Sequence, residues 1–243
     1  MGKNRLIKMP HRSRQLALTL TTPCGWGGRR PGAGRKRQPG APITLPHVSR
    51  AGFKRLPAHV TLRLRSDAPS LRTIRIVRAI ERSFAAGCTR PGFRLVHYSL
   101  QGSHAHLIVE AQDRAALGRG MKAIGSRIAR AVNRIARRTG PVLADRYHVR
   151  MLPTPKEVRV ALRYVLLNAR HHTGRIRAKL AGVRLDPASS ARWFDGWKRG
   201  STAVIEGNAG GAPGGPPVAR ARTWLLTVGW RRHGLIDPAD VPG

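Results

Sequence analysis

The stretch FRLVHYSLQGSHAHLIVEA, residues 93–111, constrains the fold of this chain more than any other. Two apolar runs flank Gln101-Gly102-Ser103, and the pattern reads as a β-hairpin with a tight turn. In the second run Ala105, Leu107 and Val109 alternate with His104, His106 and Glu110. Side chains two apart on a strand share a face. The three apolar residues therefore belong to a core on one side, and the two histidines stand together on the other.

The segments around this hairpin limit the architecture further. HVTLRLR (59–65) alternates Val60, Leu62 and Leu64 with Thr61, Arg63 and Arg65, as a half-buried strand does. Residues 71–86 place Leu71, Ile74, Val77, Ile80 and Phe84 at helical spacing, and Gly87 marks the stop. Asp113 begins a second helix, expected to run to about residue 138 on a stripe of Leu117, Met121, Ile124, Ile128, Val132 and Ile135. RYHVRML (146–152) is a short strand. Thr154, Pro155 and Glu157 open a third helix running to about residue 170. The order predicts an α+β fold: a ferredoxin-like βαββαβ antiparallel sheet with two helices on one face. The tyrosine-bearing last helix is available to complete the other face.

Composition enters where partners are considered. Lys and Arg number 46 against 11 Asp and Glu, a formal net charge of +35. Such a charge repels itself unless a polyanion offsets it, so nucleic acid is the expected partner and a typical neutral metabolic enzyme is disfavoured. Two cysteines, Cys24 and Cys88, exclude a disulfide scaffold and a four-cysteine zinc cluster. No apolar run has the length of a bilayer span, and Leu16 to Thr22 is too short and polar for a secretory core. A cytoplasmic location is expected, on the nucleoid of a bacterial cell. No acidic residue precedes Asp67. GWGGRRPGAGRKRQPGAP (25–42) reads as a basic flexible arm, and GNAGGAPGGPP (207–217) as a linker. The expected divisions are an arm over 1–45, a core over 46–175, and a C-terminal extension over 176–243 with its linker at 205–220. Trp224, Leu225, Leu226, Val228 and Trp230 suggest a short docked helix in that extension.

Two features carry chemistry. His104 and His106 can bind one divalent ion together, although that spacing also describes any two surface histidines on a strand. On the last helix Tyr164 and Asn168 are at i and i+4, hence on one face. The phenol is a candidate nucleophile, and the amide oxygen a candidate third ligand. The bland alternative is a tyrosine that anchors a helix and an asparagine near its end. Tyr98 lies on a strand with Val96 and Leu100 on its face, as a core residue would. Tyr147 is the rival nucleophile, His171 the rival third ligand, and Glu110 a solvated strand-end carboxylate or an outer partner of an imidazole. Arg119, Lys122, Arg127, Arg130 and Arg134 on the second helix are the candidate DNA contacts.

The combination of HAH at the start of the third strand, a basic helix, and Tyr164-Val165-Leu166-Leu167-Asn168 resembles the HUH single-tyrosine transposases of insertion sequences. It is most similar to their REP-associated branch. The resemblance covers roughly residues 45–175, and DRYHVR (145–150) shares in it. The family's tyrosine helix often reads Tyr-Ile-Glu-Leu-Asn-Pro. Here the Tyr and Asn match, and the Glu and Pro do not. The resemblance implies metal-dependent cleavage and rejoining of single-stranded DNA through a 5′-phosphotyrosine on Tyr164. His104, His106 and Asn168 would hold Mg²⁺ or Mn²⁺, and hairpin or palindromic DNA would be the partner of a monomer or homodimer. The alternative is a non-catalytic basic DNA- or RNA-binding protein derived from that fold. RNA-recognition sheets of this plan carry exposed aromatics, and the histidine pair here disfavours that reading.

Overall fold

The computed structural model describes residues 55–173, 183–198, 203–204 and 216–240. They all belong to one compact unit, Ser49–Gly243. The arm expected over 1–45 and residues 205–215 of the expected linker lie outside the described residues.

The elements follow in the order β1 (Ala58–Arg63), α1 (Ile74–Ala85), β2 (Thr89–Arg90), β3 (Phe93–Leu100), β4 (His104–Ala111), α2 (Arg114–Ala136), β5 (His148–Met151) and α3 (Pro155–Thr173). The strands form one sheet in the order β2-β3-β4-β1-β5. Every neighbouring pair in it is antiparallel. The fold is therefore α+β.

Alternation decides what each face of the sheet covers. Ala58, Val60 and Leu62 of β1 and Ala105, Leu107 and Val109 of β4 are buried with Ile76, Val77, Ile80 and Phe84 of α1. Leu117, Met121, Ile124, Ile128 and Val132 of α2 complete that cluster. Each such aliphatic side chain contributes about 1.5–3 kcal/mol of burial. Helix α2 begins where expected: the Asp113 carboxylate accepts from the Ala116 N–H at 2.7 Å. It ends at Arg137, which takes the left-handed conformation at φ 49°. Along α2, Gly120 lies directly on the ring of Phe93, where a Cβ would collide with it. That glycine sets how closely α2 approaches β3.

Helix α1 starts three residues later than the apolar spacing suggested. Leu71 is fully buried, but in the turn before the helix, and Ile74 is 53 % exposed. The turn is held from outside the helix. The Leu71 N–H donates to Gly102 O at 3.1 Å, and Arg72 makes a two-pronged bond to Asp186, 2.9 Å on each arm.

The opposite face is not left bare. Helix α3 packs there through Val158, Leu162, Val165 and Leu166 against Val96 and Ile108 of the sheet. Thr154 caps it, accepting from the Glu157 N–H at 3.2 Å and donating its hydroxyl hydrogen to the Glu157 carboxylate at 2.8 Å. Phe194, Leu226, Trp230 and Ile236 from the C-terminal region close over α3. A short helix, Trp224–Thr227, and a 3₁₀ turn, Gly229–His233, supply most of this cover. Residues 216–220, read as linker from their Gly and Pro content, instead run against β3, with Ala219 N–H donating to Leu95 O at 2.8 Å. Among the described residues no helix is long and apolar enough to cross a membrane.

A bulge in β3 corrects one detail of the sequence reading. The register with β4 shifts between Leu95 and His97, so Val96 joins the α3 cluster while Tyr98 and Leu100 remain with α1 and α2. Val96 does not share the face of Tyr98. The Tyr98 N–H, displaced from regular pairing there, donates to Ser190 Oγ at 3.0 Å.

Candidate functional site

Antiparallel register assembles the site. Thr61 on β1 stands opposite His106 on β4, Arg63 opposite His104, and His59 opposite Ile108. Directly paired residues point to the same face. His59, Thr61, His104 and His106 therefore converge on the α3 side of the sheet, while Ala105 and Leu107 enter the core beneath α1 and α2.

The imidazoles are in contact. Nε2 of His104 lies 3.0 Å from Nε2 of His106, with the rings nearly perpendicular at 81°. Two nitrogens bound at right angles to one ion, with bonds of about 2.1 Å, would be separated by about 3.0 Å. On its other side, His106 Nδ1 lies 3.1 Å from Nε2 of His59 and 3.2 Å from Oγ1 of Thr61. Burial, with smaller contributions from Arg150 and His148, lowers the pKa of His59 to about 4. Its ring is thus neutral at physiological pH.

Helix α3 delivers Tyr164. The phenol oxygen lies 3.4 Å from His106 Nε2, a long contact for an O–H···N bond. The two rings meet edge to face at 5.0 Å between centroids, and His59 flanks the tyrosine ring at 5.9 Å. One turn further along, Asn168 is completely buried, and neither its amide oxygen nor its nitrogen has a hydrogen-bond partner. An orphaned buried amide costs about 1–3 kcal/mol. Among the described residues no group of three or more His, Cys, Asp or Glu side chains is arranged to hold a metal ion. Two imidazoles thus lie together on β4, and a buried, unpartnered amide lies on the helix that carries Tyr164. The side chain of His171 lies outside the described residues.

The other residues singled out from the sequence fall elsewhere. Tyr147 packs against the α1–α2 cluster, on the sheet face away from the histidines. Tyr98 is buried and donates to Glu81 at 2.8 Å. Glu110 is neither solvated nor an imidazole partner. It is 5 % exposed and accepts from the Arg222 N–H, the Thr223 N–H and the Thr223 hydroxyl at 2.7–3.0 Å. Arg119, Lys122, Arg130 and Arg134 are exposed on α2, on the far side of the sheet from the histidines. Arg127 is half-buried and donates to the Ser83 carbonyl at 2.8 Å, in the last turn of α1.

His59 and Thr61 were missed as site residues. The alternation of HVTLRLR already placed both on the polar face of β1, but only the β1–β4 register shows that they stand beside His106.

No family model matches the sequence, and no curated protein matches it either. Solved structures do resemble it. One is a REP-associated tyrosine transposase bound to a REP hairpin, with a TM-score of 0.43 and 16 % identity over 53 % of this chain and 74 % of that one. Another is a proposed transposase from Deinococcus radiodurans, with a TM-score of 0.34 and 16 % identity over 42 % of this chain and 83 % of that one. The structural neighbours of this chain include one tyrosine transposase and one proposed transposase.

Proposed function

We propose that this chain is a divalent-metal-dependent strand transferase for single-stranded DNA, of the HUH single-tyrosine type, built on a ferredoxin-like sheet. The observation that carries this reading is the Tyr164 hydroxyl 3.4 Å from His106 Nε2, itself 3.0 Å from His104 Nε2. A candidate nucleophile and a candidate metal pair meet within one chain, which favours a reaction completed by a monomer.

His104, His106 and Asn168 would hold Mg²⁺ or Mn²⁺, the latter better suited to imidazole. When bound, the ion supplies Lewis-acid polarisation of the scissile phosphate. Tyr164 Oη attacks the phosphorus and forms a 5′-phosphotyrosine. The bond to the 3′-oxygen breaks, and that oxygen leaves as a hydroxyl, taking up the proton the phenol has lost to solvent. Attack by a 3′-hydroxyl reverses the step, so no nucleotide cofactor is consumed. Hairpin or palindromic single strands are the proposed partner. The exposed α2 residues Arg119, Lys122, Arg130 and Arg134 are proposed to neutralise phosphates outside the catalytic face, in the cytoplasm and on the nucleoid.

The test is incubation of the full chain with labelled hairpin DNA and Mn²⁺, followed by a denaturing gel. A protein-linked DNA band that EDTA and His104→Ala both abolish is expected. Tight binding with no band under any metal would favour a non-catalytic nucleic-acid-binding protein, the reading that the net charge of +35 alone supports.

A further inference from the structure

A histidine that binds a metal through Nε2 carries its proton on Nδ1, and whatever accepts that proton fixes both tautomer and ring orientation. Two groups able to accept that proton stand at Nδ1 of His106, neither of them singled out by the sequence pattern. His59 Nε2 is 3.1 Å away and Thr61 Oγ1 is 3.2 Å away. Both come from β1, the strand paired with β4, so the sheet's own register places them there. We propose that His59, seconded by Thr61, is the positioning residue of this site: it accepts the Nδ1 proton of His106 and turns the Nε2 lone pair towards the metal and Tyr164. The inference rests on the metal-site reading above.

The surrounding contacts agree with that assignment. With His106 protonated on Nδ1, its Nε2 accepts. His104 then donates from Nε2 across the 3.0 Å contact when no ion is bound, and its Nδ1 accepts from the Ser103 hydroxyl at 3.3 Å. His59 also fills the space beside the phenol, with its ring centroid 5.9 Å from that of Tyr164 and the rings at 67°. One side chain thus braces both a candidate ligand and the candidate nucleophile, and it lies outside the HAH motif.

Two measurements on the full chain test this. The first is ¹⁵N NMR of the imidazoles of the wild-type protein with Mg²⁺, which needs no variant. His106 protonated on Nδ1 is expected, and protonation on Nε2 would overturn the proposal. The second is Mn²⁺ affinity, by titration calorimetry or by loss of the free-ion EPR signal. His59→Leu should weaken binding about 10–100-fold. His59→Gln, whose amide oxygen can reach the position of Nε2, should restore most of it, and Thr61→Val should give a smaller loss. Wild-type affinity in both His59→Leu and Thr61→Val, with His104→Ala abolishing binding, would refute the role of His59 and leave the metal site intact. Absence of Mn²⁺ binding by the wild type would overturn the metal site itself. A His59→Leu protein that fails to fold would leave the tautomer and the Gln and Val variants to decide.

Discussion

Glu110→Ala should release the C-terminal segment from the sheet without unfolding the sheet itself. The Glu110 carboxylate is buried and takes the N–H groups of Arg222 and Thr223 and the Thr223 hydroxyl, all at 2.7–3.0 Å. A hydrogen bond to a charged group contributes about 1.5–3 kcal/mol, and the desolvation of the carboxylate offsets part of the sum. Truncation leaves these donors without their acceptor, so a net loss of about 3 kcal/mol is reasonable, near the low end for breaking a buried charged contact. The loss should be local, because Ala105, Leu107 and Val109 of the same strand remain packed under α1 and α2. About 3 kcal/mol is roughly two decades in an opening equilibrium. Hydrogen exchange over residues 216–240 should therefore accelerate about 100-fold, with β1 and β4 little changed. Trp230 and Leu226 lie on α3, so amides of α3 should follow in part. Glu110→Gln, which keeps one acceptor oxygen, should fall between. Unchanged protection over 216–240 in Glu110→Ala would refute this role for the carboxylate.

Three other outcomes are expected. Gly120→Ala places a methyl group against the Phe93 ring and should cost about 1–3 kcal/mol, read as a lower Tm; an unchanged Tm would mean that α2 is not held as closely as described. Burial lowers His59 and His97 from 6.5 to about 4 each. The folded chain then binds fewer protons than the unfolded one between those values, so stability should be full above pH 6.5 and fall progressively towards pH 4. Denaturant titrations across that range check this, and a flat profile in it would contradict the buried neutral rings. Arg119→Ala with Arg134→Ala should reduce the salt slope of hairpin binding by about 1.4, at about 0.7 per phosphate contact on a single strand, without changing the adduct fraction at saturation; an unchanged slope would remove α2 from the DNA path.

The parts of the fold that local patterning controls were legible in the sequence. The alternation in HAHLIVEA assigned the histidines to one face and Ala105, Leu107 and Val109 to the other because the strand period leaves no choice. Asp113 and Thr154 announced their helices because capping is local. Contacts set by long-range register were not legible. Nothing within HVTLRLR says that Thr61 will pair with His106, so His59 passed as an ordinary polar-face residue. The bulge at Val96 moved one side chain across the sheet, which strict alternation cannot anticipate. Glu110 looked like a solvated strand end because its partners, Arg222 and Thr223, lie more than a hundred residues away. The sequence left open which face of the sheet Tyr147 occupies, because that depends on how β5 pairs with β1.

The most direct test of the central claim is peptide mapping of the DNA-linked protein. Wild-type chain is trapped on hairpin DNA with Mn²⁺ and digested, and the nucleotide-bearing peptide is sequenced by mass spectrometry. Tyr164 should carry the 5′-phosphate, Tyr164→Phe should yield no linked peptide, and Tyr147→Phe should yield the same peptide as the wild type. A phosphate on Tyr147, or a linked peptide that survives Tyr164→Phe, would contradict the assignment of the nucleophile to α3.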